Sequence, residues 1–239
     1  MKIGVLGAGT WGMALARMLA NMDHAVTVWS AVAAEIEDLQ KTGRQKNLPD
    51  MVIPESMQYT LDLEEACRDR DIVLFGVASV YIRSTAAKVA PFLSDNQIVV
   101  CVAKGIETDT MHTMTRVIED ELKKAGKTGI PLVALSGPTQ AEEVAHDQPT
   151  LAVSACEDVA VAKKVQEAFM NPCMRIYTNT DVTGVELCGA LKNIIALASG
   201  ISTGLGYGDN ARAALITRGI VETMRLGVAM GCDEHTFTA

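Results

Sequence analysis

The sequence predicts an α/β fold: a mostly parallel sheet with helices on both faces, followed by a shorter all-α segment. Three observations predict it. Short apolar runs of strand length alternate with helix-length stretches from Lys2 to Tyr177. A glycine-punctuated turn joins the first strand to the first helix. Strand signals then stop near Asp181, and two long helix-forming stretches follow.

The elements justify this in order. Lys2-Ile3-Gly4-Val5-Leu6 is a short buried strand, and Trp11 to Asn21 is a helix. Ala25 to Trp29, Asp71 to Val77, Ile98 to Val102 and Pro131 to Leu135 are further strands. Leu151-Ala152-Val153 and Met174-Arg175-Ile176-Tyr177 complete the set. Val185 to Thr203 is one apolar helix and Asn210 to Met230 a second, joined at Gly204-Leu205-Gly206-Tyr207-Gly208. A domain boundary is placed near Thr180, giving a first domain over 1–180 and the beginning of a helical domain over 181–239. The second part is thin for an independent core.

Composition bounds the function. The 239 residues are 49% hydrophobic, ample for a core, but only 4% aromatic, so aliphatic side chains and 12 methionines fill it. A net charge of −8 with no basic block argues against nucleic acid as a partner. It also means that an anionic ligand needs local cations and backbone amides. The six cysteines form no C-x-x-C pair and mostly lie in apolar stretches, as Cys101 does, so they read as reduced thiols of a cytoplasmic protein. The four histidines show no ligand spacing, and no metal site is expected. No signal peptide and no run of about 18 apolar residues is recognised, so no membrane span is expected.

Five stretches carry chemistry. Gly7-Ala8-Gly9-Thr10-Trp11-Gly12 follows a strand and opens a helix, the context in which G-x-G-x-x-G holds a dinucleotide pyrophosphate on a helix N-terminus. This makes the first domain Rossmann-type. NAD-selective relatives of that fold usually carry an acid about 20 residues on, for the ribose 2′-OH. Here the strand ends in Trp29-Ser30-Ala31-Val32, without acid or arginine; Ser30 suits either cofactor, and NAD or NADP stays open. Lys104-Gly105-Ile106-Glu107 lies past a strand's C-terminal end, where Lys104 faces a phosphate, a carbonyl or solvent. Ser136-Gly137-Pro138-Thr139-Gln140-Ala141-Glu142-Glu143 reads equally as a site or as a helix cap through Ser136, Thr139 and Glu142. Lys192-Asn193 sits in an apolar helix, where the lysine either snorkels or is partly buried and tuned for proton transfer. Gly204 to Arg212, followed by Thr217-Arg218-Gly219, suits an anion or a plain helix–helix turn.

Together these stretches resemble the bacterial-type NAD(P)-dependent glycerol-3-phosphate dehydrogenases. The matching strings run from Gly7 to Ala16, then Asn47-Leu48-Pro49, Lys104 to Glu107, Ser136 to Thr139, Glu143-Val144-Ala145, Leu191-Lys192-Asn193 and Ala213 to Gly219, in family order. The resemblance implies reversible reduction of dihydroxyacetone phosphate to sn-glycerol 3-phosphate, feeding glycerophospholipid synthesis. It implies Lys192 as general acid/base and Lys104 as a lysine contacting substrate and cofactor. It places Gly137, Thr139 and Asn193 at substrate, and Thr10, Trp11 and Ala141 at cofactor. It also implies a homodimer. Relatives continue beyond His235-Thr236-Phe237-Thr238-Ala239 into a Gly-Asp-Leu stretch and an Arg-Asn pair that clamps the substrate phosphate. The chain is therefore expected to be a truncated form that binds cofactor but turns over poorly. Two alternatives stand beside this reading: a dehydrogenase of the same architecture acting on a β-hydroxy acid or sugar acid, and a non-catalytic NAD(P)-binding module.

Overall fold

The computed structural model describes residues 1–238. Eight strands form one sheet: β1 (Lys2–Leu6), β2 (Ala25–Trp29), β3 (Gln58–Thr60), β4 (Ile72–Phe75), β5 (Ile98–Cys101), β6 (Leu132–Ser136), β7 (Thr150–Ala155) and β8 (Met174–Asn179). Their spatial order is β3-β2-β1-β4-β5-β6-β7-β8. Every pairing is parallel except β6 with β7, which is antiparallel. The order reverses between β1 and β4, and such a switch point opens a crevice beyond the strand ends.

Helices α1 (Thr10–Ala20), α2 (Ala33–Thr42), α3 (Leu63–Cys67), α4 (Ile82–Val89), α5 (Met114–Lys124), α6 (Ala141–Ala145) and α7 (Val159–Phe169) cover the two faces. The strands sort their side chains by alternation. Ile3, Val5, Ile72 and Leu74 pack with Met13, Leu15, Leu19 and Phe169 on one face. Leu6, Val73, Phe75 and Val99 pack with Ile82, Val89, Ile118 and Leu122 on the other. β4 and β5 are buried throughout, as central parallel strands require.

The predicted α/β architecture holds, and the long strands and helices fall within a few residues of expectation. β3 was not anticipated: Gln58-Tyr59-Thr60 has no apolar run, and its three residues join the sheet edge beside β2.

After β8 the chain is helical. α8 (Val182–Gly204) and α9 (Asp209–Ala229) pack against each other. Asp181 caps α8, accepting from Gly184 N at 2.8 Å. Its other oxygen accepts from Thr236 Oγ1 at 2.9 Å and Asp233 N at 3.0 Å, tying the chain beyond α9 to the start of α8. Val185, Glu186, Leu187 and Gly189 of α8 are buried, whereas Ile194, Leu197 and Ile201 are exposed. α8 is long and apolar enough, by length and composition, to cross a membrane, with a mean hydropathy of 1.3 over its best window. Glu186 and Lys192 interrupt it, so no unbroken apolar run announces it in the sequence.

Candidate active site

The glycine turn sits at the switch point. Gly7 N donates to Trp29 O at 2.8 Å, and Gly76 N donates to Leu6 O at 2.9 Å, so the ends of β1, β2 and β4 are locked side by side. Gly7 has φ +120°, and a Cβ there would lie 2.9 Å from the Gly76 carbonyl carbon. A Cβ on Gly12 would lie 2.3 Å from the Gly7 carbonyl oxygen. Both positions therefore exclude a side chain. At Gly9, the N-cap of α1, the same construction meets nothing within 4 Å. Gly9 has no side chain to cap α1, and the first turn carries no acid, so the N–H groups of Thr10, Trp11 and Gly12 are left without a side-chain cap. This fits a dinucleotide pyrophosphate. Gln45 Nε2 reaches Ala8 O at 3.5 Å and Asn47 Nδ2 reaches Thr10 Oγ1 at 3.3 Å, laying the α2–β3 loop against the turn. Trp11 is half-buried against the core, and Ser30 is buried at the end of β2.

Lys104 lies past the C-terminal end of β5. Its Nζ donates to Gly137 O at 3.1 Å and to Thr139 Oγ1 at 3.0 Å. Burial, and then the neighbouring Lys192 ammonium, lower its pKa below the usual lysine value. The structure thus brings Lys104, Gly137, Thr139 and Lys192 together. The helix-cap reading of the Ser136–Glu143 stretch is corrected: Gln140 is the N-cap of α6 and gives no side-chain cap, and the Thr139 hydroxyl serves Lys104. Ala141 opens α6, which packs on α1, so it stands on the glycine-turn side.

α8 crosses closely above these groups. A Cβ on Gly189 would lie 2.4 Å from Ser136 Oγ and 3.5 Å from Lys104 Cγ. One turn on, Lys192 lines a cavity of about 150 Å³ with Ser136, Gly137, Val185 and Gly189. Lys192 is exposed, which corrects the partly buried alternative; Asn193 is exposed too and lies outside that cavity's lining. The Gly204–Arg212 stretch offers no comparable cradle: Arg212 pairs with Asp209, and Arg218 with Glu222 at 2.8 Å, each within α9.

Two supports were not singled out in the sequence. Arg83 on α4 donates to Glu107 through Nε at 2.7 Å and Nη2 at 2.5 Å, and through Nη1 to Glu121 at 2.5 Å. It pins the loop that carries Lys104, and its hydrogen bonds, with one from Thr110, hold the Glu107 carboxyl down to about 2. Glu186 accepts from Thr115 N at 2.8 Å and Thr115 Oγ1 at 2.5 Å, capping α5 from α8. Burial raises its pKa above the usual carboxylate value, against those bonds. A lone acid in the apolar Val185–Leu187 run was the available signal.

A glycine turn at a switch point, with two lysines gathered beyond the strand ends, defines a nicotinamide-dependent dehydrogenase of the Rossmann class. The family model of the NAD-dependent glycerol-3-phosphate dehydrogenase N-terminus matches residues 2–162, and that of the C-terminus matches 181–239. The chain belongs to this family. It is 65% identical over 237 residues to glycerol-3-phosphate dehydrogenase [NAD(P)+] 2 of Lactobacillus delbrueckii subsp. bulgaricus, covering 99% of this chain and 70% of that protein. It is 47% identical to the Agathobacter rectalis glycerol-3-phosphate dehydrogenase [NAD(P)+], covering 98% and 69%. The crystal structure of glycerol-3-phosphate dehydrogenase from Coxiella burnetii matches with a TM-score of 0.91 at 34% identity, covering 100% of this chain and 72% of that one.

Proposed function

We propose that this chain reversibly reduces dihydroxyacetone phosphate to sn-glycerol 3-phosphate with NADH or NADPH, supplying glycerophospholipid synthesis. When bound, the nicotinamide supplies the hydride that forms the new C–H bond at the carbonyl carbon. The chain's own task is to place that carbon and to deliver a proton to its oxygen. Lys192 is the general acid, giving its ammonium proton to the carbonyl oxygen and accepting it back in the reverse direction. Lys104 holds substrate and cofactor, with Gly137, Thr139 and Asn193 as further substrate contacts. Gly7, Gly9, Thr10, Trp11, Gly12 and Ala141 hold the cofactor, with the buried Ser30 supporting the strand end beside it. Two adjacent ammonium groups also give an otherwise acidic protein a local field for a phosphorylated triose. The observation that carries this is the convergence of Lys104 and Lys192 on the Ser136–Thr139 turn.

The remaining assignments rest on the same reading. Residues 1–180 form the dinucleotide domain and 181–239 belong to the helical substrate domain. The protein works in the cytoplasm, with α8 docked on the sheet through Val185, which packs on Ala134 and Ala155, rather than spanning a lipid bilayer. It pairs as a homodimer through the helical segment, whose Ile194, Leu197 and Ile201 are open; light scattering that finds only single chains removes that assignment.

The test of the chemistry is NADH oxidation with dihydroxyacetone phosphate, run beside a panel of 3-oxo acids. Lys192→Ala is expected to lower kcat by about 10²–10⁴ while NADH binding is retained. An unchanged rate removes Lys192 from the mechanism, and a preference for a 3-oxo acid replaces the substrate.

A further inference from the structure

The end of β2 contains an acid after all, brought there from the next helix. Ser30 Oγ donates to Glu35 Oε2 at 2.5 Å and accepts from Val32 N at 3.1 Å. Ser30 is buried, so its single proton and one lone pair are spent inside the protein. Glu35 stands in the first turn of α2 and is exposed. Its carboxylate is therefore held at the strand end, one residue past Trp29, whose carbonyl accepts from Gly7 N. In a Rossmann domain that strand end meets the adenosine ribose. Ala31 and Val32, the exposed residues beside it, carry no charge. The cations that follow are Lys41, in the last turn of α2, and Arg44 and Lys46, which flank Gln45, reaching Ala8 O, and precede Asn47, reaching Thr10 Oγ1. That loop lies against the glycine turn, on the pyrophosphate side of the proposed site.

We infer that Glu35, fixed by Ser30, reads the ribose 2′-OH and makes this chain select NADH over NADPH. Oε2 takes the serine proton and Oε1 accepts from the 2′-hydroxyl. A 2′-phosphate would instead meet a carboxylate, and like charges brought together cost binding. The inference rests on the dinucleotide reading of the glycine turn and adds the discriminating residue to it. The acid does the work of the usual strand-end carboxylate, but five residues after Ser30 and through a serine. A scan of the strand's last residues therefore does not reveal it.

The experiment is a pair of fluorescence titrations, NADH and NADPH, on the 239-residue chain, on Glu35→Gln and on Glu37→Gln. Glu37 is an exposed acid of the same helix, so its variant makes the same change in net charge. The wild-type chain is expected to bind NADH at least about tenfold more tightly than NADPH. Glu35→Gln keeps an acceptor for Ser30 but removes the charge; it is expected to bring the two affinities within about threefold, mainly by tightening NADPH. Glu37→Gln is expected to leave the wild-type ratio in place. Equal or tighter NADPH binding by the wild type overturns the inference and leaves the dinucleotide reading standing. A ratio unmoved by Glu35→Gln, or moved equally by Glu37→Gln, overturns it as well. Failure of both cofactors to bind the wild type overturns the dinucleotide reading and the inference together.

Discussion

The sheet region and the helical segment beyond Asp181 build their halves of the site by different means. On the proposed reading, the cofactor side of the first is backbone geometry, with the Lys104 side chain on its substrate side. Gly7 and Gly12 leave no room for side chains, α1 opens with the amides of Thr10, Trp11 and Gly12, and the strands behind them are buried on both faces. On the same reading, the second contributes a side chain at the limit of what is held. α8 is buried from Gly184 to Leu187 and at Gly189, and Lys192 comes where burial ends, two residues before the exposed Ile194. Placement on the sheet side is thus set by atoms that cannot move without unfolding the core. Placement of Lys192 is set by the few contacts that dock the first turns of α8: Asp181, Glu186 and the close pass of Gly189 over Ser136.

The largest effect expected from this difference falls on Gly12. A methyl group there presses on the Gly7 carbonyl oxygen, main chain of a residue whose N–H is tied to Trp29 O. Gly12→Ala is expected to cost about 3 kcal/mol of stability and to weaken NADH by about tenfold or more. Denaturant unfolding and a cofactor titration read both quantities. Wild-type values in both would break the claim that backbone geometry sets this half of the site.

Glu186 tests the other half. Removing it strips the buried cap from α5 and the tie from α8, and Glu186→Ala is expected to cost about 2 kcal/mol. A merely structural residue would lower stability and stop there. A residue that positions Lys192 also lowers kcat for dihydroxyacetone phosphate while the NADH affinity holds, and Glu186→Gln, which keeps one acceptor, restores much of the rate. The raised carboxyl pKa has a sign of its own. The folded chain holds this proton more tightly than the unfolded one, so the contribution is fully present below 4.5 and is lost as pH rises through the raised value. Melting temperatures of Glu186→Gln across that range should lack this loss; a profile parallel to the wild type would show that Glu186 does not titrate there.

How much could be read in advance follows the same division. Strands β1, β2, β4, β5 and β6 were legible because central parallel strands need apolar runs, and the glycine turn because the backbone itself demands those residues. β7 was read as a strand but its antiparallel direction was not, since Leu151-Ala152-Val153 looks the same in either direction. Thr139 was left open between site and cap because local spacing cannot show a lysine arriving from position 104. Glu35 and Glu186 were missed for a similar reason: each serves a partner that only the fold brings near, Ser30 across the β2–α2 turn and Thr115 on another helix. Lys104 and Lys192 were found as a pair only through the order of the strings around them.

The smallest effect bears on the open end of α8. Gly200 is helical, and a Cβ there meets nothing within 4 Å. In a free helix surface, Gly200→Ala should raise stability by about 0.5–1 kcal/mol, because alanine loses less backbone freedom on folding and fills no occupied space. Dinucleotide affinity should not change, since the glycine turn belongs to the other region. Denaturant unfolding distinguishes the two outcomes that matter. A gain means that this half of α8 faces water in the folded chain. A loss means that another surface closes on the helix near Gly200, Leu197 and Ile201 in solution. That surface would then share in fixing Lys192, and the contrast between a rigid backbone site and a loosely held lysine would narrow accordingly.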